Sequence, residues 1–103
     1  MICLVIQIQA VGRRIMVGMK RLIIDVREPD EYASGHVSGA INIPPSELLS
    51  GAEKLKDLPK DTELVLYCRT GSRSSVAIEI LTQLGFTNLI NGINASQVES
   101  KYL

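Results

Sequence analysis

Cys68 closes the apolar run Leu64-Val65-Leu66-Tyr67 and opens the segment Cys68-Arg69-Thr70-Gly71-Ser72-Arg73, after which a helical pattern starts at Ser74. A cysteine between the carboxyl end of a strand and the amino end of a helix lies where backbone N–H groups and the helix dipole favour an anion. That setting lowers a thiol pKa and makes a thiolate nucleophile available near neutral pH. Position alone fits a small buried hydrophobe as well; the loop's composition favours the nucleophile. Arg69 and Arg73 bring positive charge to where an anionic reactant approaches, and Gly71 permits a sharp turn. Thr70, Ser72 and Ser74 supply hydroxyls, for hydrogen bonds or for capping the helix. The chemistry these residues suggest is sulfur chemistry.

The elements that position this loop are legible on either side of it. Leu22-Ile23-Ile24-Asp25-Val26 has the pattern of a buried parallel strand. It ends at Asp25 and Arg27, which become candidates to support the loop from a neighbouring strand end; a pair of Asp25 or Glu31 with Arg27 or Arg73 would brace it. Pro29 suits the first turn of a short helix over 29–34, stopped by Gly35. A second strand over 40–43 ends at Pro44-Pro45. Leu48, Leu49, Ala52 and Leu55 then share one face of a helix over 46–56, with Ser46 as its N-cap. Pro59-Lys60-Asp61 reads as a turn and 63–67 as the third strand. Beyond the cysteine loop, Val76, Ala77, Ile80, Leu81 and Leu84 form a helical stripe ended by Gly85. A last strand over 88–91 and a short helix over 95–102 complete the pattern. Strands alternating with helices at this spacing predict an α/β domain, with a small, mainly parallel central sheet and helices on both faces. Sites in such sheets form at the carboxyl ends of strands, where both Cys68 and the stretch 25–27 fall.

The chain of 103 residues has room for one core, and 46% hydrophobic residues suit a packed globule. The reading is one domain over 21–103, preceded by residues 1–20 as an N-terminal extension or extra strand. Formal net charge is zero, which gives no basis for binding nucleic acid or an anionic membrane surface. The apolar start, Met1 to Ile6, is far too short to span a bilayer, and Arg13 and Arg14 follow it rather than precede it as in a signal peptide. The two cysteines, Cys3 and Cys68, are too few and too widely spaced for a zinc site or a disulfide framework. A Cys3–Cys68 disulfide is the less favoured state, because the setting of Cys68 suits a working thiol. Cytoplasmic location, with no metal and no organic cofactor, is the expectation.

Three segments, in order, resemble the rhodanese (sulfurtransferase) family: Asp25-Val26-Arg27-Glu28; the stretch from Glu31-Tyr32-Ala33-Ser34-Gly35-His36 to Pro44; and Tyr67-Cys68-Arg69-Thr70-Gly71-Ser72-Arg73-Ser74. The resemblance covers about residues 22–91 and is nearest to minimal single-domain thiosulfate sulfurtransferases of the phage-shock-protein-E type. Many relatives carry a Gly-Gly pair and a Trp near the carboxyl end; this chain has Gly92-Ile93-Asn94 and no Trp, as minimal members do. The resemblance implies the rhodanese fold. It also implies sulfur transfer from thiosulfate, or a related small anionic donor, to cyanide or a thiol acceptor, or exchange with a protein persulfide. Cys68 would be the catalytic nucleophile and Arg69, Thr70, Gly71, Ser72, Arg73 and Ser74 the persulfide-binding loop. His36 belongs to the segment before the second strand and is read as structural.

The fold is shared with dual-specificity phosphatases, whose cysteine-to-arginine loop resembles this one but is a residue longer. Here four residues separate Cys68 from Arg73. The shorter loop predicts a tighter ring of amides, suited to one terminal sulfur rather than a whole phosphate. A small phosphatase or arsenate reductase, and a non-catalytic binding module on the same fold, are the alternatives.

Overall fold

The computed structural model describes residues 21–103; the expected extension over 1–20, with Cys3, lies outside the described residues. Four strands, β1 (Arg21–Asp25), β2 (Ile41–Asn42), β3 (Glu63–Cys68) and β4 (Leu89–Asn94), form a sheet in the order β2-β1-β3-β4. All three pairings are parallel, with Ile24 opposite Leu66 and Asp25 opposite Tyr67 between the central strands. Side chains of a strand alternate between its faces. Along β3, Leu64, Leu66 and Cys68 join one buried cluster while Val65 and Tyr67 join the other. Both faces are covered, which is why the β3 run is apolar at consecutive positions rather than at alternate ones.

The first face carries α2 (Pro45–Leu49), a 3-10 turn (Glu53–Leu55) and α3 (Ser72–Gln83), through Leu48, Leu55, Ala77 and Leu81. The second carries α4 (Ala95–Tyr102) through Val98, together with Val37 and Ala40 from the connection between α1 (Pro29–Ala33) and β2. The α/β architecture read from the sequence is the one observed.

Several boundaries differ from expectation. The helix expected over 46–56 breaks after α2. Gly51 (φ 110°) and Ala52 (φ 52°) take left-handed conformations, and the chain restarts as a 3-10 turn. Leu48, Ala52 and Leu55 are buried despite the break, whereas Leu49 is 76% exposed. The N-cap of α2 is Pro44 rather than Ser46. Helix α3 starts at Ser72, two residues early, because the loop folds directly into its first turn, and Val76 on the expected stripe is 55% exposed. Strand β4 continues through Gly92, Ile93 and Asn94, with a shift of register opposite Leu66 and Tyr67.

That shift gives Gly92 its reason. A Cβ there would lie 2.6 Å from Val98 Cγ2 and 3.0 Å from Val65 Cγ1, so α4 packs directly on bare backbone. Gly92→Ala is expected to cost ~1–3 kcal/mol through overpacking. Urea denaturation measures the loss; an unchanged midpoint would mean that α4 adjusts freely.

Candidate active site

The loop between β3 and α3 wraps the Cys68 sulfur. Cys68 is a buried free thiol, and the Gly71 amide donates to its Sγ at 3.1 Å. Gly71 is the N-cap of α3 and has φ 93°, the left-handed conformation that turns its N–H back toward the sulfur. The Ser74 hydroxyl stands 3.7 Å from Sγ. Burial pushes the Cys68 thiol up, but the Ser74 amide and hydroxyl and the amides of Thr70 and Gly71 outweigh it, and the pKa falls from 9.0 to about 7. The Ser74 hydroxyl has a single proton, and its 2.7 Å bond to Asn91 Oδ1 is much the shorter contact. Backbone amides at the start of α3 therefore carry most of the thiolate stabilisation.

The proton balance makes a prediction. A nucleophilic thiolate requires the rate to rise as pH passes upward through about 7 and to level above it. Ser74→Ala removes a weak donor and keeps the amide, so the inflection moves up by less than about one unit. Iodoacetamide alkylation of Cys68 against pH reads both; an inflection near that of a free thiol in the parent protein would contradict the cradle.

The sequence-predicted residues converge unevenly on this point. Gly71 and Ser74 are buried at the sulfur, and Thr70 contributes an amide. The Ser72 hydroxyl faces Thr70 Oγ1 at 3.2 Å, on the exposed side of the loop. Arg69 and Arg73 both turn to Glu31 of α1. Arg69 Nε donates to Glu31 Oε2 at 2.9 Å, and Arg73 donates through both terminal nitrogens at 2.8 and 3.2 Å. Glu31 is held well below the usual carboxylate range, first by Arg73, then by the Glu28 amide and Arg69.

Asp25 and Arg27 lie behind the cradle rather than in it. Asp25 is fully buried; Arg27 Nε donates to its Oδ1 at 2.9 Å and Arg27 Nη2 to its Oδ2 at 2.7 Å. Tyr67, the residue before Cys68, donates its hydroxyl to Asp25 Oδ2 at 2.9 Å and accepts the Val37 amide at 3.0 Å. Burial, with Asp25 alongside, pushes Tyr67 up to about 12, so it remains a neutral donor. His36 is exposed, stacks on Tyr32 at 3.6 Å and pairs its Nδ1 with the Tyr32 carbonyl.

Asn91 escaped the sequence reading. Its Nδ2 donates to the Gly71 carbonyl at 3.1 Å, while its Oδ1 accepts the Ser74 hydroxyl and the Ile93 amide. One side chain from β4 thus fixes the turn and first turn of helix that present the amides to sulfur. Ile93 holds φ 75°, costly for a β-branched residue, in the bulge that aims Asn91 at the loop. No local signal marks either residue, since the contacts bridge 17 and 20 positions.

An apolar groove of about 300 Å³ begins beside the loop. It is lined by Pro45, Leu48 and Leu49 of α2 and by Val76, Ala77 and Ile80 of α3, with Ser72 and Arg73 at one end. Among the described residues no cluster of three or more His, Cys, Asp or Glu could hold a metal ion. Nor is any described helix long and apolar enough to cross a membrane.

Comparison with known proteins agrees with this geometry. The family model described as "Rhodanese-like domain" matches residues 11–97. The thiosulfate sulfurtransferase PspE of Escherichia coli is 43% identical over 68 residues, covering 66% of this chain and 64% of that protein. The probable adenylyltransferase/sulfurtransferase MoeZ of Mycobacterium tuberculosis is 42% identical over 74 residues, 72% of this chain but 19% of that protein. The chain therefore spans less than two thirds of the length of these curated relatives. Among solved structures, a rhodanese with anions from E. coli superposes with a TM-score of 0.66 at 35% identity, over 75% of this chain and 89% of that one. The human single-domain sulfurtransferase TSTD1 gives 0.65 at 28%, over 88% and 91%. The match thus extends along most of the sequence and most of the backbone, and the chain belongs to the rhodanese-like domain family.

Proposed function

We propose that the protein transfers a sulfane sulfur from thiosulfate or a related donor to cyanide or a thiol through a persulfide on Cys68. The observation that carries the reading is the Gly71 amide pointed at Sγ at 3.1 Å, at the head of a 12-residue helix. In the first step the Cys68 thiolate attacks the outer sulfur of the donor. With thiosulfate the S–S bond breaks toward the sulfonate, sulfite leaves with the electron pair, and Cys68–S–S⁻ remains. The charge of the new terminal sulfur falls where the amides of Thr70, Gly71 and Ser74 converge. In the second step a cyanide ion or acceptor thiolate attacks that sulfur and regenerates the Cys68 thiolate.

Burial favours sulfur over phosphate. Cys68 is 3% exposed, so little of its surface is open to a reactant. One terminal sulfur needs less room there than a tetrahedral phosphate with its oxygens, which requires a wider ring. A reducing cytoplasm, which keeps the thiol free between turnovers, is part of the same proposal. Steady-state assays should show thiocyanate and sulfite forming together from cyanide and thiosulfate, with no release of phosphate from an aryl phosphate. Phosphate release without thiocyanate would replace this reading with a phosphatase.

A further inference from the structure

We propose that the site is built for a singly charged sulfane-sulfur donor carrying an apolar group, an organic persulfide or thiosulfonate, in preference to dianionic thiosulfate, and that Glu31 sets this preference. The inference rests on sulfur transfer through Cys68 and names the donor class for it.

Charge is the first ground. Arg69 and Arg73 flank the cradle, yet both guanidinium groups are engaged by one carboxylate, Glu31. Two positive charges and one negative leave a single net positive charge at the rim. The field of Glu28 also reaches Arg73 and reduces it further. One positive charge balances one anion, the Cys68 thiolate or the persulfide that replaces it. Thiosulfate brings two more negative charges to that thiolate and leaves as dianionic sulfite. An organic persulfide anion brings only one: Cys68–S⁻ and R–S–S⁻ give Cys68–S–S⁻ and R–S⁻. The donor's S–S bond breaks as the new S–S bond to Cys68 forms. The electron pair leaves with R–S⁻, which takes a proton from solvent. A thiosulfonate behaves likewise, R–SO₂–S⁻ leaving as the sulfinate R–SO₂⁻, with one charge in place of two.

The groove is the second, independent ground. Ser72 and Arg73 of the cysteine loop also line the groove, so it borders the cradle. Leu49 and Val76 stand exposed at its sides. Among its lining residues the one cation, Arg73, is already paired with Glu31. Such a groove suits the carbon portion of a donor whose sulfur sits over Cys68, and offers nothing to a second anionic charge.

Three donors separate these effects: thiosulfate, methanethiosulfonate, which differs mainly by one charge, and butanethiosulfonate, which adds an apolar chain. Rates of sulfur loading on the whole protein are divided by those of free cysteine to remove intrinsic reactivity. Methanethiosulfonate should then exceed thiosulfate by about tenfold in kcat/KM, and butanethiosulfonate should gain a further factor of about ten at most from groove burial. Glu31→Gln keeps an acceptor oxygen for the Glu28 amide and frees one positive charge. It should lower KM for thiosulfate about fivefold at low salt, with kcat little changed, and the gain should vanish at high salt. Methanethiosulfonate should respond less. Val76→Ser, on an exposed helix surface, adds no charge beside Arg73 and should shrink the butyl advantage while changing methanethiosulfonate less. A parent protein that prefers thiosulfate, or a Glu31→Gln protein that loses activity equally with all donors, would overturn the proposal and reduce Glu31 to a brace. Failure of all three donors to load Cys68 would instead overturn sulfur transfer itself.

Discussion

Replacing Cys68 with Ser is expected to abolish sulfur transfer, by at least about a thousandfold, while leaving the fold in place. The side chain lies in a core cluster, but serine is close in size and the Gly71 amide can donate to its oxygen as it does to sulfur. Stability should therefore change by no more than ~1 kcal/mol. Activity fails for a different reason. A serine hydroxyl has no anion near neutral pH, and its oxygen forms no stable adduct from which sulfur can be passed on. Thermal unfolding and thiocyanate formation, measured on the same preparation, separate the two effects. Residual transfer above a few per cent would place the nucleophile elsewhere.

Asp25→Ala should do the opposite, collapsing stability before chemistry. Asp25 has no exposed surface, and its two oxygens accept from the Arg27 backbone N–H, the Arg27 guanidinium and the Tyr67 hydroxyl. Removing the carboxylate leaves a mostly buried guanidinium, 11% exposed, without its counter-charge. It also leaves the fully buried Tyr67 without an acceptor. Breaking a buried pair from one side costs ~3–5 kcal/mol, a large share of the ~5–15 kcal/mol typical of a domain. The loss should reach the loop, because Arg27 also ties down the Gly35 carbonyl at 2.7 Å and Tyr67 directly precedes Cys68. Asp25→Asn retains one acceptor oxygen and should lose less. Urea unfolding of both variants checks the order; an alanine variant as stable as the parent would show that water readily replaces the carboxylate.

The parts of this account that were legible in the sequence are the locally encoded ones. A β3 run apolar at every position announces a strand buried on both faces, and Gly71 followed by a helical stripe announces where the chain must turn. The cradle is a property of consecutive residues, so the sequence alone points to Cys68, Gly71 and Ser74. What distant segments do to that loop was not legible. Asn91 has an ordinary sequence context, and its role arises because β4 is brought beside the loop; the Glu31–Arg73 pair, by contrast, is one that charge complementarity in the sequence offers and the structure contains. The break after α2 was misread for a related reason. Leu48, Ala52 and Leu55 keep helical spacing and are buried. They reach the core through a left-handed turn at Gly51 and Ala52, and the spacing of apolar residues reports burial, not backbone continuity. Arg69, which the sequence leaves open between substrate contact and a solvated surface charge, donates to Glu31 across 38 positions, a pairing that no local pattern announces.

Sulfur transfer requires that Cys68 become the carrier, and the mass of the peptide that contains Cys68 tests this directly. After incubation with a sulfane-sulfur donor under non-reducing conditions, that peptide should gain the mass of one sulfur atom. Cyanide should remove the added sulfur as thiocyanate. No gain, or a gain confined to Cys3, would contradict the amide cradle as the seat of the chemistry.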